Sequence, residues 1–593
     1  MIFLKNCSFI NLQKGDLVTC QKSIEGGLIG MNCLVPGFTC FFANLLWRPR
    51  ELSRDLDLTN VPGLYIRGSK CHLTCVRFSC SFYGMTFPDA VKVAFEKLEI
   101  LLIGIYTRGQ SSVEYRNVIP NPASKFVIVD GIMAHVIALS DAHAQKLENY
   151  CRECHGDVNV RASIALAPCQ CTRSICVYQP VVVTSHMELA GMEMKKVISA
   201  EVPSSPSEMQ LTVSPDYEFP LEEVATMASD VALTGTPSKP NQALDSSGMF
   251  YWCRPRSFDS CVMTHDEAAL QAMSGHIVIF ILDNPEGTPP GLHHIILPLR
   301  ASIIPPNDLR KVVVVGMLDK IRDDWKRINM LPDITFIGGD PNLPAVIRAS
   351  QVHSCHCAVV ISPGIDATNA QDQDTIVQVL RLRSTKFTMQ IRGRNRSLLY
   401  KAGEDLPLII LFDDEGHIRY ISQVNSRTDY HYTVPYMSGQ VLASSSLESL
   451  MIPAYYHPSL MHLLSCLVFG GSSSELAHMR PDGMSLTGPL QKNIPKERSH
   501  LKTTLTIWSM SDAKISAFIG KPYSELFIYA LEKNYGICLG LYRLLETHCA
   551  SPEQSPRNGL WGRAIRYVAT SPPRDTIMLA SDDVYILLPA TIT

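Results

Sequence analysis

Apolar positions follow two rhythms along this chain. Behind Pro88, a residue suited to a first helical turn, Val91, Ala94, Phe95 and Leu98 recur at three- and four-residue spacing, which predicts a helix with one buried face. The second rhythm is the short unbroken apolar run. Residues 101–106 predict a core strand, and 126–129 and 135–139 predict two paired strands turning at Asp130-Gly131. From residue 276 onward the two rhythms alternate: runs at 276–282, 311–316, 334–337 and 358–362 are separated by helical stretches, the clearest at 318–327. Strands that are apolar throughout and alternate with helices predict a parallel, doubly wound sheet with both faces covered. Thr264 followed by Glu267 predicts a capped helix start just ahead of the first of these runs. Ile24, Leu28, Ile29, Met31 and Leu34 predict a helix early in the chain, 463–469 a buried helix late in it, and 537–542 a further strand.

Texture divides the chain. Residues 1–150 are dense in apolar segments and predict an α+β lobe. Residues 151–245 begin with clustered cysteines and turn into a Ser-, Pro- and Thr-dominated stretch from 203 to 240, predicting a cysteine-bearing and then disordered linker. Residues 246–385 predict the Rossmann-like lobe, 386–432 a polar insert and 433–593 a second α+β lobe. The two ends read as related units.

Composition narrows the function. The 593 residues carry 53 Lys+Arg against 56 Asp+Glu, a net charge of −3, so no polybasic footprint for nucleic acid is present. Mean hydropathy is +0.07, high for a chain without an apolar run of membrane-spanning length, so no transmembrane segment is expected. The opening residues lack the pattern of a secretory signal, and 19 cysteines without one read as reduced thiols with a metal site among them.

The most specific local chemistry is Cys151-Arg-Glu-Cys154-His155 followed by Cys169-Gln-Cys171. One Cys-x-x-Cys pair is unremarkable in a cysteine-rich chain, but a second close pair soon after it suggests four soft ligands for a tetrahedral structural zinc. Asp413, Asp414 and Glu415 beside Gly416 offer oxygen ligands without the alternating spacing of a calcium-binding helix–loop–helix, so weak calcium binding is the most they predict. No Gly-rich phosphate loop, nucleophile elbow or metalloprotease motif occurs, and the loop after 276–282 has too few glycines for a dinucleotide fingerprint. No enzyme activity is expected.

At Asp245-Ser-Ser-Gly-Met-Phe-Tyr-Trp-Cys253, Ser274-Gly-His-Ile-Val278 and Leu297-Pro-Leu-Arg-Ala-Ser302 the chain resembles the cytosolic tail of Slo-type, large-conductance calcium-activated potassium channels. The likeness continues through Ser524-Glu-Leu-Phe527, Gly540-Leu-Tyr-Arg-Leu544 and Thr570-Ser-Pro-Pro573, and upstream through Ala43-Asn-Leu-Leu46, Tyr83-Gly-Met-Thr-Phe-Pro88 and the Cys151–His155 motif. This resemblance implies an α/β fold: a Rossmann-like RCK (regulator of potassium conductance) domain with α+β lobes, preceded by the later part of a first RCK domain. It implies a homotetrameric gating ring, the cytosolic part of a plasma-membrane channel, that couples ion binding to pore opening. The family's pore helices and selectivity filter have no counterpart in these residues, so a truncated gene product, an incomplete gene model or a regulatory fragment is expected. Glu114 falls where the family places a glutamate calcium ligand, and the family's run of aspartates precedes the segment matched here by Thr433-Val-Pro-Tyr436; only Asp413, Asp414 and Glu415, somewhat earlier, stand in for it. The competing expectations are a Rossmann-type nucleotide-binding protein and a zinc-stabilised interaction protein.

Overall fold

The computed structural model describes residues 20–46, 61–107, 117–155, 160, 165–168, 244–245, 249–282, 291–362, 369–390, 398–422, 429–450, 455, 457, 459–470, 501–545 and 565–592. The first lobe begins with helices α1 (Gln21–Leu34), α2 (Phe38–Leu46) and α3 (Gly63–Gly68). Strands β1 (His72–Arg77), β2 (Leu101–Thr107), β3 (Asn117–Pro120) and β4 (Ile132–Ala138) form an antiparallel sheet in the order β1-β4-β2-β3. Helix α4 (Phe87–Val93) starts where the sequence predicts: the Thr86 side chain accepts the Asp89 N–H, Pro88 lies in the first turn, and Phe87, Ala90 and Val91 are buried. A π-helical turn over Ala94–Leu98 extends it and stops at Glu99, whose φ of 59° is left-handed. Helix α5 (Asp141–Asn149) closes the lobe.

One expected pairing is corrected. Residues 126–129 are not a strand partner of β4; they meet the segment before α4 through an isolated bridge between Val127 and Thr86. Their backbone is committed there, since Phe126 O accepts from Phe87 N and Ile128 N donates to Met85 O. β4 pairs with β1 and β2 instead.

The second unit is a seven-stranded sheet of β5 (Val262–Met263), β6 (Ile277–Ile281), β7 (Val312–Gly316), β8 (Ile334–Gly338), β9 (Cys357–Ile361), β12 (Leu408–Phe412) and β13 (Val441–Ala443), in the order β13-β12-β9-β6-β7-β8-β5. Every pairing is parallel. The chain runs outward from β6 through β7 to β8, then returns past β6 to β9 and on to β12 and β13, which is the doubly wound arrangement. β6, β7 and β9 are buried at every residue, as unbroken apolar runs require. Helices α6 (His265–Leu270), α7 (Leu292–Ile296), α8 (Leu318–Ile328), α9 (Pro344–Ala349) and α10 (Asn369–Ser384) accompany the strands. The capping box at Thr264 and Glu267 forms in both directions. α8 turns Ile321, Trp325 and Ile328 inward and its charges mostly outward.

The span expected to be a polar insert carries a core strand. β12 is an internal strand of this sheet, and the sheet ends only with β13. What stands apart is the antiparallel hairpin of β10 (Lys386–Gln390) and β11 (Leu398–Ala402). Five apolar residues at 408–412 between polar flanks are enough for a buried strand, and average composition over the segment conceals them.

After helices α11 (Val434–Met437) and α12 (Ser459–Phe469), the C-terminal lobe repeats the first. A short pair, β14 (Leu501–Lys502) with β19 (Thr591–Ile592), borders a sheet of β15 (Leu505–Ser509), β16 (Ile537–Leu544), β17 (Arg566–Thr570) and β18 (Asp583–Leu587) in the order β15-β18-β16-β17. That is the order of β1-β4-β2-β3, and the pairing irregularity at Leu102/Gly104 recurs at Cys538/Gly540. The Thr86–Val127 bridge recurs as Pro522–Ile577. Helix α13 (Tyr523–Glu532) occupies the place of α4, and the two meet: Phe95 stacks on Phe527 at 3.8 Å and 17°, with Lys92 Nζ 2.8 Å from Glu532 Oε1 at the rim.

Candidate functional site: the acidic loop and the inter-lobe clasp

The loop leaving β12 carries Asp413, Asp414 and Glu415, at the carboxyl edge of the parallel sheet, where ligands of such folds bind. Its backbone is held by Asp372 of α10. This buried carboxylate accepts the N–H of Asp413 at 2.9 Å and of Asp414 at 3.0 Å, and it lies 2.6 Å from His417 Nδ1. The three loop carboxylates then diverge. Asp414 Oδ1 accepts the Gly416 N–H at 2.7 Å and caps a 3₁₀ turn, while Glu415 Oε2 accepts the Tyr430 hydroxyl at 2.9 Å. Asp413 is pushed up to about 6 by burial first and then by Asp372, with Glu25 adding to the rise and Lys22 and His417 opposing it. Glu25 comes from α1, in the other lobe. It is buried, neither carboxylate oxygen accepts a hydrogen bond from the described residues, and it forms an ion pair with Lys22 Nζ at 3.2 Å.

Among the described residues, no three His, Cys, Asp or Glu side chains are grouped so as to hold a metal ion. Two of the three loop carboxylates are already engaged, Asp414 by the Gly416 N–H and Glu415 by the Tyr430 hydroxyl. At the cysteine motif, Cys151 is buried and Cys154 exposed, and His155 Nδ1 accepts the Cys151 N–H at 3.1 Å. Glu114, Cys169 and Cys171 lie outside the described residues. Sequence reasoning missed Glu25, Lys22, Asp372 and His417. Of these only Glu25 carried a local signal, a lone carboxylate in an apolar helical stretch.

At the opposite, amino end of the parallel strands, two glycine turns lock the lobes together. Gly37, between α1 and α2, has φ 84°, and Gly439, just before β13, has φ 72°. A Cβ on Gly439 would stand 2.5 Å from Gly37 Cα, so only bare backbones can approach this closely. The Gly439 carbonyl accepts from Asn32 Nδ2 at 2.7 Å and Thr39 Oγ1 at 2.9 Å. Three tyrosines fasten the surroundings: Tyr585 donates to Pro36 O at 2.6 Å, Tyr542 to Ser438 O at 3.1 Å and Tyr65 to His431 O at 2.6 Å. α1 also lies tight on α7, where Gly30 faces the Ile295 carbonyl. The amino end of β13, the strand beside β12, is thus bonded to both α+β lobes, and a displacement of one strains the others.

Three family models match the chain in order. A calcium-activated BK potassium channel alpha-subunit model covers residues 16–105, a slowpoke-like RCK-domain model of calcium-activated potassium channels 272–409, and the TrkA_C-like domain model of the Slowpoke channel 460–588. The calcium-activated potassium channel slo-1 of Caenorhabditis elegans is 26% identical over 646 residues, covering 99% of this chain and 55% of the relative. Slowpoke of Drosophila melanogaster is 24% identical over 697 residues, covering 99% and 57%. The chain spans about half the length of these curated relatives. The structure of the human SLO3 gating ring matches in fold, with a TM-score of 0.63 at 20% identity over 99% of this chain and 78% of the other. No helix among the described residues is long and apolar enough to cross a membrane. The chain belongs to the family of Slo-type calcium-activated potassium channels, in the region that carries the RCK domains.

Proposed function

We propose that this chain is the cytosolic gating-ring region of a calcium-activated potassium channel subunit, which assembles as a tetramer and couples ion binding to pore opening. The observation that carries this reading is the ordered match of three channel-family models to the two repeated lobes and the Rossmann sheet between them. Coupling needs an element that two states arrange differently and that links the sensing edge to the rest of the ring. The Gly37–Gly439 clasp supports that role, because it ties β13, which pairs with the strand leading into the acidic loop, to α1 and to the C-terminal lobe. Assembly is supported by α10, whose Val377 and Leu380 are 49% and 48% exposed, with Leu343 nearby in sequence to α9 at 51%. Apolar side chains left bare on a helix face suit burial against a second copy. Light scattering of the purified chain is expected to give a four-chain mass, and co-expression with a pore-bearing subunit of this family is expected to give a joint complex. A monomer at every concentration that also fails to co-purify with such a subunit would remove the channel reading.

A structural zinc at the cysteine motif is the second proposal. What supports it is that the linker folds back: Asn149 Nδ2 donates to Leu166 O at 2.9 Å and the buried Lys146 Nζ to Val160 O at 3.1 Å. The chain three residues before Cys169 is thereby brought beside the end of α5, two residues before Cys151, within the roughly 10 Å that three residues can reach.

A further inference from the structure

α1 crosses the parallel sheet from the carboxyl end of β12, where Glu25 neighbours Asp413, to the amino end of β9, where Cys33 sits against Cys357. The two cysteines belong to different lobes. Cys33 is 1% exposed, near the end of α1; Cys357 is 5% exposed and opens β9. The Cys33 thiol is a close neighbour of the Cys357 thiol. The backbone holds them in place, because His356 Nε2 lies 3.1 Å from the Cys33 carbonyl oxygen, the distance of an N–H donated to that carbonyl. Both are free thiols in this structure.

We propose that Cys33 and Cys357 form an oxidation site, closed by hydrogen peroxide into a disulfide that staples the first lobe to the Rossmann sheet. One sulfur, as thiolate, attacks the peroxide O–O bond and becomes a sulfenic acid, releasing water after proton transfer. The second sulfur then displaces the sulfenic hydroxyl: the S–S bond forms, the S–O bond breaks, and the hydroxide leaves with the second thiol's proton as another water. Two thiols and one peroxide give one disulfide and two waters; the sulfurs lose two electrons in all and the peroxide gains them.

The neighbouring Cys33 thiol, and then burial, hold the Cys357 thiol well above its usual range, so the docked pair reacts slowly. Oxidant enters when α1 lifts from β9, and the bond closes when α1 settles back. The staple therefore traps the docked arrangement, and its rate reports how often the lobes part. A disulfide between segments over 300 residues apart restricts relative lobe motion far more than one within a single helix or strand. This inference depends on the thiol pair alone and stands or falls independently of the channel reading.

The test is mass spectrometry of the full chain after peroxide treatment, alkylation of remaining thiols and proteolysis without reductant. The tryptic peptides bearing Cys33 and Cys357 also carry Cys40 and Cys355, so fragmentation must place the bond. A Cys33–Cys357 link is expected in the unmodified chain, absent from Cys33→Ala and from Cys357→Ala and retained in Cys355→Ala. Hydrogen exchange of α1 amides is expected to slow by roughly tenfold in the oxidised chain and to recover on reduction. The partly exposed Cys20 serves as the internal control for oxidant. If Cys20 is oxidised while Cys33 and Cys357 remain thiols, or if the link instead involves Cys40 or Cys355, the proposal is overturned. Because the unmodified chain alone gives this readout, misfolding of a variant does not rescue it.

Discussion

His135 lies in the middle of β4, opposite Cys75 in the antiparallel register, and is fully buried. Neither ring nitrogen has a hydrogen-bond partner. Its neighbours are the edge of Tyr106 at 6.2 Å and the rings of His457 and His462 from the segment around α12, and among the described residues no carboxylate acts to stabilise a positive charge there. Burial first, and then the two histidines, lower its pKa from 6.5 to about 3. A histidine whose folded pKa lies below its unfolded value is neutral in the native state while the unfolded chain takes up a proton. Stability is therefore fully present above pH 6.5 and is lost as pH falls from 6.5 toward 3. Taking 6.5 and 3 for the two states, the loss between pH 7 and pH 5 is about 2 kcal/mol from this one side chain. Leucine is of similar volume and needs no partner, so His135→Leu is expected to remove that loss and also the cost, about 1–3 kcal/mol, of burying unsatisfied nitrogens. The measurement is urea unfolding at pH 7 and pH 5, read by pulsed alkylation of the buried Cys75 at one fixed labelling pH. Other histidines contribute equally to both proteins, so the difference between the two pH dependences isolates His135. Equal losses in the two proteins would show that His135 is either solvated or partnered in solution and would refute the reasoning.

Other outcomes follow from the same geometry. Gly439→Ala adds a methyl 2.5 Å from Gly37 Cα at a residue with φ 72°, and it is expected to lower the chain's thermal midpoint and speed proteolysis between the lobes, at a cost of about 2 kcal/mol or more; an unchanged midpoint would mean the turns do not touch. Calcium titration followed by thermal shift is expected to saturate only in the 10⁻⁴ to 10⁻³ M range, roughly that of weakly organised oxygen sites, and Asp413→Ala with Asp414→Ala is expected to change it little; micromolar saturation abolished in that double variant would reverse this. Elemental analysis of protein prepared without chelator is expected to find about one zinc per chain, as a four-ligand site holds, and Cys151→Ser is expected to remove it; metal-free protein would discard the zinc proposal.

Much of the fold was written locally. The stretches 277–282, 312–315 and 358–361 are apolar at every position and 334–337 departs only at Thr335, a pattern that suits strands covered on both faces, so a parallel sheet followed from pattern alone. Thr264 and Glu267, or Thr86 and Pro88, fix helix starts because capping satisfies N–H groups within a single turn. The family was legible too, since its motifs are short and contiguous. What tertiary structure decided is which distant segments meet. Residues 126–129 have strand-like chemistry, yet their backbone partners lie before α4; β12 hides in a polar segment, yet β9 and β13 bracket it. Asp413 to Glu415 read as three adjacent carboxylates, but whether they converge depends on Asp372 and Tyr430, which take up the loop's backbone and one of its side chains. The Gly37–Gly439 contact joins turns roughly 400 residues apart, the span of the bond from Thr39 to Gly439. Helix and strand rhythm report which face of an element is buried, a property of neighbouring residues; the identity of what buries it is settled by packing of the whole chain, and no local pattern encodes it.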